Sequence, residues 1–243
     1  MKPRFVGRVG VADVVSAANA SLGFLAVVVA PTDPRLAARL VLFAAVADGL
    51  DGVLARRYGG TDAGEYLDSL ADVSSFAVAP AALVTILALR EWPLGTDEPL
   101  SLVVLGIAGL FVAMAVMRLA LYTAYDVDGA YTDGVPSTLA ATVLSAAVLA
   151  GAADVHVLVA ATAIFCYLMV APIQYPDLLA QDALVMGVVH SLAVLFPDFY
   201  GRMFPWALLY LALAYLLFGP FFYWRDWGGT DQRAEESGES GDS

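Results

Sequence analysis

The sequence predicts an all-α membrane protein, a polytopic bundle of about eight transmembrane helices with both termini on the cytoplasmic side. Three observations carry that expectation. Hydrophobic residues fill 60% of the 243 positions, with a mean hydropathy of +0.75, whereas soluble domains sit nearer about 45–50% apolar. Apolar runs of bilayer-crossing length, roughly 17–25 residues, recur along the chain with only short polar breaks. The cations, finally, fall unevenly between alternate breaks, as the positive-inside rule requires of a spanning protein.

The apolar runs lie at about 12–30, 36–55, 64–90, 99–123, 136–152, 155–173, 180–196 and 205–224. The first follows Lys2, Arg4 and Arg8 but contains Asp13, Ser16 and Asn19 and lacks a small-residue cleavage site, so it reads as a retained helix rather than a removable signal. Breaks such as Ala30-Pro31-Thr32-Asp33-Pro34, Tyr58-Gly59-Gly60-Thr61-Asp62 and Pro172-Ile173-Gln174-Tyr175-Pro176 are the Pro, Gly and Asp clusters at which helices turn round. With no internal repeat and no linker, residues 1–230 are expected to form one domain. Residues 231–243 read as a disordered acidic tail.

With the N-terminus inside, the inner face collects Lys2, Arg4, Arg8, Arg56, Arg57, Arg118, Arg225 and Arg233, and the outer face Arg35, Arg39, Arg90 and Arg202. The turn between the second and third spans then faces the cytoplasm of a cell-membrane protein. The net charge is −12, and Lys2 is the only lysine. That balance reads as the salt adaptation of a halophilic archaeon, with compositional drift in a GC-rich genome as the alternative.

The composition also excludes several classes. One cysteine, Cys166, allows neither an internal disulfide nor a multi-cysteine metal site, and it reads as a small buried thiol. His156 and His190 read as satisfied or interfacial side chains. The aromatic group Phe221, Phe222, Tyr223, Trp224 and Trp227 marks a membrane interface, and the absence of a basic face argues against nucleic-acid binding.

The second and third spans carry Asp48 and Asp51, and Asp68 and Asp72. A charged residue at membrane depth costs at least about 2.5–3.5 kcal/mol unless paired or hydrated. Residues three or four apart share a helix face, so each span presents one carboxylate pair. A hairpin through the Tyr58–Ala63 turn brings both pairs towards one point near its cytoplasmic end. Their mutual repulsion calls for a hard divalent cation bound through oxygen, Mg2+ or Mn2+, and there is no Cys or His cluster to suit zinc. Such ions clamp phosphate oxygens.

Gly49, Gly52 and Ala55 thin the second span, and Gly64 lies one turn before Asp68, so backbone can approach a ligand or simply a neighbouring helix. Arg56 is placed to meet a phosphate with a forked pair of donors, or serves with Arg57 only as an orientation signal. Intramembrane acids also mark ion pathways, but an ion-coupled transporter distributes them across membrane depth. Here they cluster towards one face.

The run Asp48-Gly49-Leu50-Asp51-Gly52-Val53-Leu54-Ala55-Arg56, followed by Gly64-Glu65-Tyr66-Leu67-Asp68-Ser69-Leu70-Ala71-Asp72, resembles the CDP-alcohol phosphotransferase signature at all eight of its fixed positions. The seven residues Arg57 to Ala63 between the halves are one fewer than usual, a change confined to the turn. The resemblance implies transfer of a phosphoalcohol from a CDP-linked lipid donor to the hydroxyl of a small polar alcohol, with release of CMP. It further implies that Asp48, Asp51 and Asp68 hold metal, and that Asp72 binds metal or takes the acceptor's proton. Gly52, Ala55, Arg56 and Gly64 would line the cytidine diphosphate pocket, and the protein would form a homodimer.

Similarity to the phosphatidylserine and archaetidylserine synthase branch extends further. It rests on Leu67 to Asp72 followed by Ser75 to Ala81, on Arg118-Leu119-Ala120, on Gly134-Val135-Pro136-Ser137 and on Leu168-Met169-Val170. This branch implies serine as the acceptor. The cations near the site, Arg56, Arg57 and Arg118, are few for an acceptor carrying phosphate, such as inositol phosphate or glycerol phosphate. With the acidic, lysine-poor composition, the expected donor is CDP-archaeol. Asp72, nearer the helix interior, is the expected general base.

Overall fold

A computed structural model describes residues 9–92, 98–126, 131–152, 154–176 and 180–222. Lys2, Arg4, Arg8, Tyr223, Trp224, Arg225, Trp227, Arg233 and the acidic tail 231–243 lie outside the described residues, and so do the expectations that rest on them.

The helices are α1 (Val11–Val29), α2 (Pro34–Tyr58), α3 (Gly64–Asp72), α4 (Ala79–Glu91), α5 (Pro99–Leu121), α6 (Ser137–Ala150), α7 (Val155–Leu168), α8 (Ala180–Leu195) and α9 (Met203–Phe222). A π-helical segment, Val73–Val78, joins α3 to α4 in a single rod, Gly64–Glu91, and a second, Tyr122–Asp126, extends α5. Eight helical rods therefore stand among the described residues, one for each expected span. Val11–Val29, Gly64–Glu91, Pro99–Tyr125 and Met203–Phe221 are long and apolar enough to cross a membrane. The protein is a multi-pass helical membrane protein.

Local chemistry explains the helix ends. The Asp33 carboxylate accepts from the Leu36 N–H at 2.9 Å and Pro34 opens the first turn, so α2 starts where its loose donors are satisfied. Gly59, with φ of +88°, ends it. Asp154 likewise caps α7 through the N–H groups of His156 and Val157.

The sixth rod is shorter than the sequence suggests. The apolar run 155–173 stays helical only to Leu168, and α7 at 14 residues is about 21 Å long, against a hydrocarbon core of about 30 Å. From Leu168 onward the chain bonds instead to the segment before α6. The Val135 N–H bonds to the Leu168 carbonyl at 2.9 Å and the Gly134 N–H to that of Ile173 at 2.8 Å. Next to this junction β1 (Tyr131–Asp133) pairs antiparallel with β2 (Gln174–Pro176), Thr132 opposite Tyr175. Three-residue strands are too short to leave a periodic pattern.

The small-residue helix α6 is buried on nearly every face and packs against α2 and α9. Around it, α1 pairs with α2, and α5 packs on α4 and α7. Gly23 lies at a close helix crossing. A Cβ there would come within 2.7 Å of the backbone at Ser74 and Ser75.

The arginines assigned to the outer face gather at one end of the bundle. Arg35 and Arg202 both approach Asp198, Arg39 Nε donates to the Val194 carbonyl at 2.9 Å, and Arg90 donates to the Pro31 carbonyl. The hydrogen bond from Arg35 holds the Asp198 carboxyl below its ordinary pKa, so this ion pair is intact at neutral pH and lost as pH falls below the carboxylate range. Arg56 and Arg57 sit at the opposite end of α2.

Gly23→Leu is expected to destabilise the bundle by about 1–3 kcal/mol or to prevent its folding, because the added atoms meet backbone. Gly106→Ala, with nothing within 4 Å of the new methyl group, should be neutral or slightly stabilising. Thermal unfolding in detergent would separate the two; equal effects would contradict this packing.

Candidate active site

The aspartates meet at the end of the bundle where α2 finishes and α3 begins. Asp48, Asp68 and Asp72 each bring a carboxylate oxygen to within 4.8 Å of the others. Asp72 is buried, and Asp48 and Asp68 are half-buried. Asp51 is also buried, but it turns towards α1, accepting from Ser16 Oγ at 2.7 Å.

A polar stripe on α1 runs alongside the hairpin. Asp13 accepts from the Gly10 N–H at 2.7 Å and from Thr61 Oγ1 at 2.8 Å, which ties the hairpin turn to the start of α1. Ser16 then meets Asp51, and Asn19 Nδ2 donates to Asp72 Oδ1 at 3.4 Å. Three residues rise about 4.5 Å along a helix, so the stripe meets the turn, Asp51 and Asp72 at successive depths. One turn deeper, Ser75 Oγ donates to the Asn19 carbonyl at 2.8 Å and Ser74 Oγ to the Ala20 carbonyl at 3.0 Å. The π-helical segment that directly follows Asp72 is thereby fastened to α1, in a conformation often found at functional sites.

A divalent cation would fit the grouped oxygens. Asp68 Oδ1 is buried and has no hydrogen-bond partner among the described residues, an arrangement that costs free energy unless a cation meets it. The set consists of carboxylates alone, the donors suited to Mg2+ or Mn2+.

The remaining expected residues flank this group. Gly52 lies beside its own helix's Arg56, where a Cβ would stand 3.5 Å from Nη1, and Arg56 is exposed. Ala55 is half-buried on the same helix, and a Cβ on Gly64 would stand 3.4 Å from Asp13 Oδ1. Ser16 and Asn19 did not figure in the expected site. Their signal was polar residues three apart in an otherwise apolar span, continuous with Asp13.

A second feature adjoins the first. The Ser69 and Thr123 hydroxyls are 2.7 Å apart, so the turn of α3 between Asp68 and Asp72 touches the π-helical end of α5. Arg118 is buried one turn back, donating to Thr132 Oγ1 at 3.1 Å with its guanidinium over the Tyr122 ring. The histidines stay out of the site: His190 bonds Thr142 and the Met186 carbonyl, and His156 lies edge-on to Trp92. Cys166 is buried and free, its Sγ bonded to the Thr162 carbonyl.

Residues 9–175 match the model of the CDP-alcohol phosphatidyltransferase family, a stretch containing every residue of the hairpin. The chain belongs to that family. It is 31% identical over 172 residues to an archaetidylserine synthase from Methanothermobacter thermautotrophicus, covering 68% of each chain. It is also 39% identical over 97 residues to a CDP-diacylglycerol–serine O-phosphatidyltransferase from Mycobacterium tuberculosis, across 40% of this chain and 31% of that protein. A Mycobacterium leprae protein of the same description is 39% identical over 103 residues, 41% of this chain and 31% of its own length. The matched stretch thus spans less than a third of the mycobacterial relatives.

As a residue holding a carboxylate from behind, Ser16 should matter to metal binding without being a ligand. Ser16→Ala is expected to weaken Mn2+ binding by about 10–100-fold, read by electron paramagnetic resonance of the free ion. An unchanged affinity would detach Asp51 from the metal site.

Proposed function

We propose that this membrane protein transfers the lipid phosphoryl group of a CDP-linked lipid, CDP-archaeol by preference, to the hydroxyl of L-serine, releasing CMP. The observation that carries the reading is the convergence of Asp48, Asp68 and Asp72 at one end of the bundle in a chain of this family. The relatives' names and the branch resemblance support serine. The archaeal relative and the acidic composition support the archaeol donor.

Asp48, Asp51, Asp68 and Asp72 are proposed to hold Mg2+ or Mn2+, which when bound would neutralise diphosphate charge and polarise its P–O bonds. Gly52 and Gly64 would let the backbone approach the nucleotide, with Ala55 small enough to do the same, and Arg56 would fork onto a phosphate. Asp72 would take the proton from the serine hydroxyl as its oxygen bonds to the phosphorus next to the lipid oxygen. The bond from that phosphorus to the bridging oxygen breaks, and CMP leaves with the electron pair. Asn19, donating to Asp72, would keep this carboxylate oriented.

The inner end is proposed to face the cytoplasm across the cell membrane, where nucleotide-linked donors are made. The cation-bearing loops around Arg56 and Arg57 support this orientation. Assembly as a homodimer is proposed on the family resemblance.

Purified protein given CDP-archaeol and labelled serine should release CMP only with Mg2+ or Mn2+ present. Release supported by inositol phosphate or glycerol phosphate and not by serine would sink the acceptor assignment. Asp72→Asn should lower turnover by on the order of 100–10,000-fold while CDP-lipid binding persists. Near-normal turnover in that variant would remove Asp72 from the role of base.

A further inference from the structure

At the end of the bundle opposite the aspartates, three arginines meet one acid. Arg35 and Arg39, four residues apart, share a face of α2. The segment between α8 and α9 brings Arg202 to the same place. Arg35 donates to Asp198, Arg202 Nε stands 3.9 Å from the same carboxylate, and the charge of Arg39 reaches it too. Asp33, the acid beside Arg35 in sequence, is turned to the Leu36 N–H as the cap of α2. One carboxylate among three guanidiniums leaves a local excess of positive charge.

These arginines are held in place. Arg39 Nε donates to the Val194 carbonyl, while its two terminal nitrogens have no acceptor among the described residues and are not buried. The Arg202 guanidinium lies against Gly151, the left-handed residue that ends α6, and a Cβ there would collide with its Nη1. Arg202 reaches this position through left-handed backbone at Tyr200, Gly201 and Arg202 itself, a conformation uncommon outside glycine. Helix electrostatics add to the imbalance. Neither α2 nor α9 has an acid in its first turn, Arg35 occupies that of α2, and Arg202 directly precedes α9. Cations are disfavoured at the positive end of a helix, and an anion joining them relieves that cost.

The rim of the cluster is apolar. Phe196, Phe199 and Tyr200 are exposed on the segment that carries Asp198 and Arg202, and Trp206 stacks on exposed Tyr210 at the start of α9. In a spanning protein, aromatic side chains of this kind mark the depth of the lipid headgroups. The anion abundant at that depth is a phosphate attached to hydrocarbon, and guanidiniums fork onto phosphate oxygens. A free anion would satisfy the arginines and leave the aromatic rim without a partner.

We propose that Arg35, Arg39 and Arg202 form a binding site for the phosphate of an anionic phospholipid in the leaflet at this end of the bundle, with the aromatic rim against its hydrocarbon. Asp198 gathers the guanidiniums and leaves them a net positive charge for the lipid. The site is separate from the catalytic carboxylates and is independent of which alcohol they activate.

The test follows thermal unfolding of the purified full chain in non-ionic detergent during titration with phosphatidylglycerol, with phosphatidylcholine, whose choline offsets the phosphate charge, or with inorganic phosphate. Phosphatidylglycerol should raise the melting temperature by about 2–4 °C, and the other two should leave it unchanged. Arg39→Gln combined with Arg202→Gln should abolish the shift. Asp198 is exposed, so Asp198→Asn should fold, and it should reach the half-maximal shift at about two- to fivefold less phosphatidylglycerol, because the carboxylate competing with the lipid phosphate is gone. A merely structural ion pair would instead lower the melting temperature of that variant and leave its lipid dependence as it was. Equal shifts with both lipids, or with inorganic phosphate, would overturn the proposal, and so would a folded double variant that keeps the shift. Should the double variant fail to fold, Asp198→Asn decides: a requirement for as much phosphatidylglycerol as wild type, or more, rejects the site.

Discussion

Four carboxylates held near one another at the end of a membrane bundle are the constraint on which the rest of this structure depends. Each would repel the others and pay for leaving water, so the fold surrounds them with compensation. Part of it comes from α1, whose Ser16 and Asn19 donate to Asp51 and Asp72. Part is missing from the protein itself, because Asp48, Asp68 and Asp72 lie close together and one Asp68 oxygen is buried with no protein donor among the described residues. The site is therefore only partly satisfied by protein donors, which is what the proposed cation would complete.

That arrangement accounts for the packing nearby. Donors on α1 reach the aspartates only if α1 lies tightly on the hairpin, and Gly23 permits that contact by removing the side chain that would strike the backbone of Ser74 and Ser75. The same contact seats the π-helical segment after Asp72, with Ser74 and Ser75 bonded to α1 carbonyls. Stability and site geometry thus share one interface. The opposite end of the bundle handles charge differently, pairing half-buried Arg35 and Arg202 with exposed Asp198, where water screens them.

The junction of segments 131–135 and 168–176 shows a further use of short, irregular backbone. Where α7 stops, the Leu168 carbonyl is taken by the Val135 N–H and, further on, the Ile173 carbonyl by the Gly134 N–H, so these groups stay satisfied where the chain leaves the helix.

Much of this protein was legible in the sequence because its signals are local. Bilayer-length apolar runs marked eight rods, Pro-Asp and Gly-Gly clusters marked their ends, and spacings of three and four put Asp48 with Asp51 and Asp68 with Asp72 on shared faces. What pairs across helices was not legible, since no periodicity within α1 says that Ser16 faces Asp51 or that Asn19 faces Asp72. The grouping of Asp48, Asp68 and Asp72 apart from Asp51, the π-helical turns and the meeting of segments 131–135 and 168–176 belong to the same class. The sequence by itself determined the membrane bundle and the identity of its acids, because hydropathy and helix period act residue by residue. Only the tertiary structure decided which acids share a point and which wall stands beside them, because that depends on how closely the backbones of separate helices approach.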